Sequence, residues 1–282
     1  MVRGSGDPPI GGSGAPPSSP SIGRVTRWRP FLDDDTLRPG PELVAALSAD
    51  LRSPDPAVRD EQAYVLLHRW IPRLPAAERH RLGDEMADRF TDPEIQARTF
   101  APLVLARLVR LGDHDPAWQR AFDTWYRTEP DLRGHDPELG WLHAVAHGAD
   151  LLGALGRSPH TEPADLLDLA CARLLAPTEH LFDAMEDDRL GLAIALTLTR
   201  PELTRCQSVD WLAPVAADFA AGRPGPVPAH ASNTMRTLRV LHLLAVRGVR
   251  PAPDAAAVPL THAGAVAEAV AATLALPSPY AG

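Results

Sequence analysis

The chain contains no lysine: its 28 basic residues are all arginine. That excludes Schiff-base and pyridoxal-phosphate chemistry, which need a lysine amine, and the lysine of a phosphate-binding loop. Cysteine is scarce. Cys171 and Cys206 are the only two, and isolated thiols in apolar surroundings build neither a disulfide framework nor a zinc ribbon, so a reducing cytoplasm is the expected location. No apolar run reaches membrane-spanning length, and the basic and apolar segments of a signal peptide are missing, so no membrane partner is expected. Glycine-rich nucleotide loops, the GxSxG elbow, CxxC pairs and EF-hand loops are also missing, which leaves the common nucleotide and hydrolase classes without support. The formal charge of −8 repels polyanions at long range and argues against a nucleic-acid partner.

What is present is helical. Glycine, proline and serine crowd the first part of the chain, a composition that cannot offset the entropy of ordering. Residues 1–36 are therefore expected to be a disordered tail, with Trp28 and Phe31 able to tuck onto the body. Residues 37–282 are expected to form one helical-repeat domain. Leu43, Val44, Leu47 and Leu51 follow Pro41 at helical spacing; a second helix enters at Pro54 to Ala63, continues through Trp70 and stops before Pro72. Pro75, Asp92-Pro93 and Asp115-Pro116 open others, and further helices are expected at 163–176, 178–199, 208–222, 229–248 and 260–276. Starts near 54, 92, 137, 178 and 229 recur at roughly 40-residue steps, which suits HEAT-like helix pairs. No run alternates as a strand does. The expected fold is all-α, an α-α superhelix of HEAT- or armadillo-like pairs with concave and convex faces.

One stretch joins helical spacing to site chemistry: Gly140-Trp141-Leu142-His143-Ala144-Val145-Ala146-His147-Gly148-Ala149-Asp150-Leu151-Leu152. On a helix turning about 100° per residue, His143, His147 and Asp150 fall within roughly 60° of arc. Two imidazoles and a carboxylate so placed can share a divalent metal, act as a general acid–base pair with Asp150 fixing a tautomer, or simply hydrogen-bond between helices. Glu129, Asp131 and Arg133 precede this stretch, and an Asp-x-Arg pair can brace a loop or present a guanidinium to an anion. Arg59, Asp60 and Glu61, Arg98 with Thr99, and Glu186, Asp187, Asp188 and Arg189 form further polar knots. Acidic residues at helix starts answer the helix dipole by default, but Arg98 and Arg189 interrupt apolar stretches.

Taken in order, these segments resemble a known family. They are Arg59-Asp60-Glu61 with Ala63-Tyr64, Arg98-Thr99-Phe100 with Leu103-Val104-Leu105, Glu129 to Gly134, the long Gly140 to Leu152 segment, Glu186 to Leu190, and Asn233 with Leu238-Arg239. The pattern is similar to that of the DUF2785 family, a domain of unknown function, and spans about residues 59–240. The chain departs from it at Pro130, where the family resembles an Arg, and at Thr99, where a Ser is usual. The resemblance implies a bacterial, cytoplasmic, all-helical, HEAT-like protein with no activity to carry over. It also implies that Arg59, Asp60, Arg98, Asp131, Arg133, His143, His147, Asp150 and Arg189 belong to one shared feature.

The functional expectation is a binding module. Those residues, with Trp141, would line a polar concave groove for a peptide, a small anionic ligand or a partner protein. The alternative is a metal-dependent enzyme, hydrolytic in type, with His143, His147 and Asp150 as ligands to a divalent ion and one position open to water. No other cofactor is expected.

Overall fold

The computed structural model describes residues 27–34, 36, 39–252 and 254–280. The described chain is all-α apart from one small hairpin and an isolated bridge. A short helix α1 (Arg29–Leu32) leads to α2 (Pro41–Asp50). Helix α3 begins at Pro56–Val58, passes through a π-helical stretch, Arg59–Tyr64, and ends at Val65–Trp70. Then come α4 (Ala76–Asp88), α5 (Ile95–Arg110) and α6 (Pro116–Thr128). The hairpin pairs β1 (His135–Asp136) with β2 (Gly140–Trp141), antiparallel, with His135 opposite Trp141. It is followed by α7 (Ala144–Gly156), α8 (Pro163–Leu175), α9 (Glu186–Thr197), α10 (Arg205–Asp210), α11 (Ala213–Ala220), α12 (Ala229–Arg247) and α13 (Ala263–Ala275).

Aspartate-proline starts explain several boundaries. Asp55 and Asp115 cap α3 and α6 by accepting the N–H of Ala57 and Ala117, at 2.9 and 2.7 Å, with proline in the first helical position. The helices pack in two rows. In one, α3, α5, α7, α9 and α12 are successive neighbours; in the other, α4, α6 and α8 are, and α13 closes against α12. The first row carries the apolar centre: α5 and α7 are buried over most of their circumference. A single core runs from Trp28 to Leu274.

The tail expected over residues 1–36 lies outside the described residues as far as residue 26, and Trp28 does tuck onto the body: it is 1% exposed and its indole N–H reaches Asp50 at 2.6 Å. Two expectations are corrected. The helix expected over 178–199 starts only at Glu186, because Met185 takes a left-handed backbone (φ 64°) that a helix cannot continue. The segment 208–222 is divided into α10 and α11 around Trp211 and Leu212, with Pro214 opening the second helix. No described helix is long and apolar enough to cross a membrane.

Candidate functional site

The site gathers where the starts of α7 and α9 meet the hairpin and the π-helical part of α3. His143 is not a helical residue. It stands before α7 in the left-handed region (φ 51°), and it and Met185 are the two non-glycine residues with positive φ among those described. Each precedes the first turn of a helix, and α7 and α9 pack together. Such backbones cost about 1–3 kcal/mol and persist where surrounding contacts impose them. Here the hairpin imposes one: the His143 N–H bonds to the carbonyls of Arg133 and Gly134, both at 3.2 Å.

Leaving the helix turns the His143 imidazole onto Trp141. The rings stack at 4.5 Å and 4°, and His135 meets Trp141 edge-on at 4.8 Å. Nδ1 of His143 lies 3.2 Å from Oε1 of Glu186 and donates to it, a contact that in a neutral ring leaves the lone pair on Nε2. Glu186 is fully buried; Gly134 makes room for it, since a Cβ there would overlap its Oε1. Burial alone would raise the Glu186 carboxyl. The His143 hydrogen bond, then the backbone N–H groups of Glu186 and Ala184, outweigh that and bring it below its ordinary value.

His147 sits one turn into α7, buried, its ring 5.3 Å from His143 and 5.2 Å from Phe100. Its Nδ1 donates to the Thr99 carbonyl at 3.0 Å. Burial first, then the nearby His143, hold its pKa well below 6.5. The unfolded chain takes up this proton below about 6.5 while the folded chain does not, so stability is present above that pH and lost as pH falls. The unfolding free energy is expected to drop by up to about 1.4 kcal/mol per pH unit through this residue. Urea unfolding from pH 7.5 to 5.5 reads it, and His147→Gln is expected to flatten the slope; equal slopes in both proteins refute the assignment.

Arg59 lies wholly buried beneath the hairpin. It bonds to Asp60 through Nε (2.6 Å) and to the carbonyls of Ser53 (3.1 Å), Leu139 (2.6 Å) and Trp141 (3.2 Å), with its guanidinium over Phe100. Asp60 is raised above the ordinary carboxylate range, by burial chiefly, with Arg59 opposing. Arg98, Asp131 and Arg133 form a separate cluster around Glu129. Arg98 grips both oxygens of Glu129 (2.6 and 3.0 Å), and Arg133 binds Asp131 in bidentate fashion and also reaches Asp136. Of the two roles open to the Asp-x-Arg pair, the geometry is that of a loop brace.

The three expected metal ligands do not converge. The stripe assumed that His143 was helical. With His143 turned to Glu186, His147 fixed on Thr99 and both oxygens of Asp150 taken by Arg189, their donor atoms form no compact set among the described residues. Arg59, Asp60, Trp141, His143 and His147 do come together, and the polar knot of α9 supplies Glu186.

The sequence reading missed a second group. Tyr64 and His68 lie one turn apart on α3, rings 5.7 Å apart, and Tyr64 meets Phe100 at 6.0 Å. Trp141, His143, His147, Phe100, Tyr64 and His68 thus form an unbroken file of rings across α7, α5 and α3. Arg107 and Arg110, on the last turns of α5, stand at its far end. Arg59, Arg98, Arg133 and Arg189 are each matched by a carboxylate, but Arg107 and Arg110 have no such partner among the described residues, where Arg110 reaches the Asp150 carbonyl at 3.4 Å. Among the described residues the buried Nε of Arg107 and Nδ1 of His68 have no hydrogen-bond partner. Burial, then the charges of Arg107 and Arg110, lower the His68 pKa. In the sequence these arginines look like the solvated stripe of an amphipathic helix.

No curated protein and no solved structure matches the chain. A family model described as a protein of unknown function (DUF2785) matches residues 85–243, over half the chain and the span that holds Arg98, Arg107, Arg110, the hairpin, α7 and α9. The chain belongs to the DUF2785 family, as its ordered segments led us to expect.

Proposed function

We propose that the protein is a binding module and that the file of rings, with Arg107 and Arg110 at one end, takes a small anionic ligand. The carrying observation is that these two guanidinium groups, beside a histidine, have no carboxylate partner among the described residues in a chain of net charge −8. Buried polar groups are ordinarily satisfied, so the partnerless Nε of Arg107 and Nδ1 of His68 favour an anion there. Half-buried Tyr64, next to His68, is the next ring such a ligand meets, since Phe100 and His147 beyond it are buried. The row α3, α5, α7, α9, α12 suits the inner helices of a HEAT-like superhelix, whose concave face this would be. Two free cysteines, one buried and one exposed, suit a reducing cytoplasm.

Chemistry at His143 is a second reading, favoured by the Glu186-fixed tautomer and the free Nε2. It needs no metal. The binding reading stands first because the charges that would hold a ligand lie away from this dyad.

Inorganic phosphate is the probe. It is expected to raise the melting temperature of the wild type at constant ionic strength, and Arg107→Gln with Arg110→Gln to remove the shift. Each arginine accounts for roughly tenfold in affinity or more, the size of one charge-assisted hydrogen bond. An identical shift in the double variant refutes the site.

A further inference from the structure

On the opposite row, three side chains of metal-ligating type gather. His80 and Asp84 lie one turn apart on α4, and Asp115 is the N-cap of α6. His80 Nδ1 is 3.2 Å from Asp84 Oδ2, and His80 Nε2 is 3.2 Å from Asp115 Oδ2. One donor atom from each residue lies within 4.8 Å of the others, and among the described residues this is the set of histidine, cysteine and carboxylate groups that meets that spacing.

The carboxylates are held in place from behind. Asp84 Oδ1 accepts the Trp118 indole N–H at 2.8 Å, and Asp115 Oδ1 accepts the Ala117 N–H at 2.7 Å. Each therefore spends one oxygen on a neutral donor and turns the other to the imidazole, the arrangement by which outer partners orient metal ligands. Trp118 is itself fixed. It is 4% exposed, it packs where Gly83 has no Cβ to block it, and its ring lies 5.2 Å from that of His80.

The two carboxylates face different nitrogens of one imidazole, and an ion takes only one of those nitrogens. Seated between His80 Nε2 and Asp115 Oδ2 it has both within reach, and Asp84 supplies the third donor of the set. With metal–ligand distances of about 2.0–2.2 Å, a nitrogen–oxygen separation of 3.2 Å subtends about 100° at the ion, near the tetrahedral and octahedral values. One imidazole and two carboxylates suit a first-row divalent ion such as zinc better than calcium or magnesium, which prefer oxygen alone.

We propose that His80, Asp84 and Asp115 form a surface site for a divalent transition-metal ion that clips α4 to the start of α6. Water completes the coordination, since His80 and Asp84 are exposed. His80 and Asp84 precede the span matched by the family model, and Asp115 lies within it. An ion bound to the native state alone also stabilises it by mass action.

Zinc chloride is titrated into the full chain, purified without an affinity tag, at pH 7.5, and followed by calorimetry and by thermal melting. Asp115→Asn is the informative variant, because asparagine caps a helix as well as aspartate does and the fold is preserved. The wild type is expected to bind one zinc per chain with a rise in melting temperature. His80→Gln is expected to abolish both effects. Asp115→Asn weakens binding tenfold or more, and Trp118→Phe, which frees Asp84, does so by roughly 10–100-fold. If His80→Gln gives the same isotherm as the wild type, or if the wild type binds no zinc, the three residues are an ordinary surface ion pair and the proposal is wrong.

Discussion

Arg59→Ala is expected to lower the unfolding free energy by about 3–5 kcal/mol, the usual cost of breaking a buried, hydrogen-bonded charge pair from one side. The side chain has no solvent-exposed surface, and the acceptors it serves lie on two separate parts of the chain. Asp60 and the Ser53 carbonyl belong to the start of α3; the Leu139 and Trp141 carbonyls belong to the hairpin, some 80 residues on. Removing the guanidinium leaves three carbonyls without a donor, an already desolvated Asp60 without its counter-charge, and a cavity over Phe100. Lysine does not rescue it, since one ammonium cannot reach carbonyls on both sides as a planar fork does. Urea unfolding followed by circular dichroism measures the loss, and Trp141 fluorescence reports whether the hairpin loosens with it. A change below about 1 kcal/mol, the range of exposed ion pairs, would falsify the view that this arginine ties the hairpin to α3.

The same residue marks how far the sequence could be read. Arg98 and Arg189 stand out because they interrupt apolar stretches, Arg59 and Arg133 because they belong to polar segments, and each is paired with a carboxylate. Their role did not follow from spacing. Whether an arginine faces a ligand or its own chain depends on which carboxylates the fold brings to it, and Glu129 for Arg98 and Asp150 for Arg189 lie 31 and 39 residues away. The helices were legible where proline and a capping aspartate set their starts, as at Pro56 and Pro116. They were misread where a side chain takes a left-handed backbone. Nothing in Leu-His-Ala or Ala-Met-Glu signals positive φ, because it is the hairpin, and not local preference, that fixes His143. Once His143 leaves the helix, the assumed stripe of His143, His147 and Asp150 dissolves, and Glu186 replaces Asp150 as the partner of the imidazole. The π-helical turn at Arg59–Tyr64 is equally silent in the sequence, yet it decides where Asp60 and Tyr64 point.

Glu129→Ala is expected to cost a similar 3–5 kcal/mol, by a different route. Arg59 joins a helix to a hairpin, whereas Glu129 is a buried acceptor at the end of α6 on which four donors from three residues converge. It takes Nε and NH2 of Arg98, the Trp125 indole N–H at 2.6 Å and the Asp131 N–H at 3.1 Å. Its side chain is 2% exposed, so water cannot replace it. Loss of the carboxylate strands the indole N–H and leaves a guanidinium held only by the Asp92 and Pro93 carbonyls, at 2.7 and 3.0 Å. The Arg98→Ala, Glu129→Ala double variant separates these costs. If the pair is coupled, the double variant is less destabilised than the sum of the single variants, because the unpaired arginine is no longer there; direct pairs of this kind commonly show coupling of about 0.5–3 kcal/mol. Strict additivity in urea unfolding would mean that the two act independently, and that the chain from α5 to the hairpin is braced by Arg133 with Asp131 and Asp136 instead. Because Arg98 holds the start of the helix that carries Arg107 and Arg110, a coupled result predicts one more observation. In Glu129→Ala the phosphate-induced rise in melting temperature shrinks although neither ligand-binding arginine has been touched.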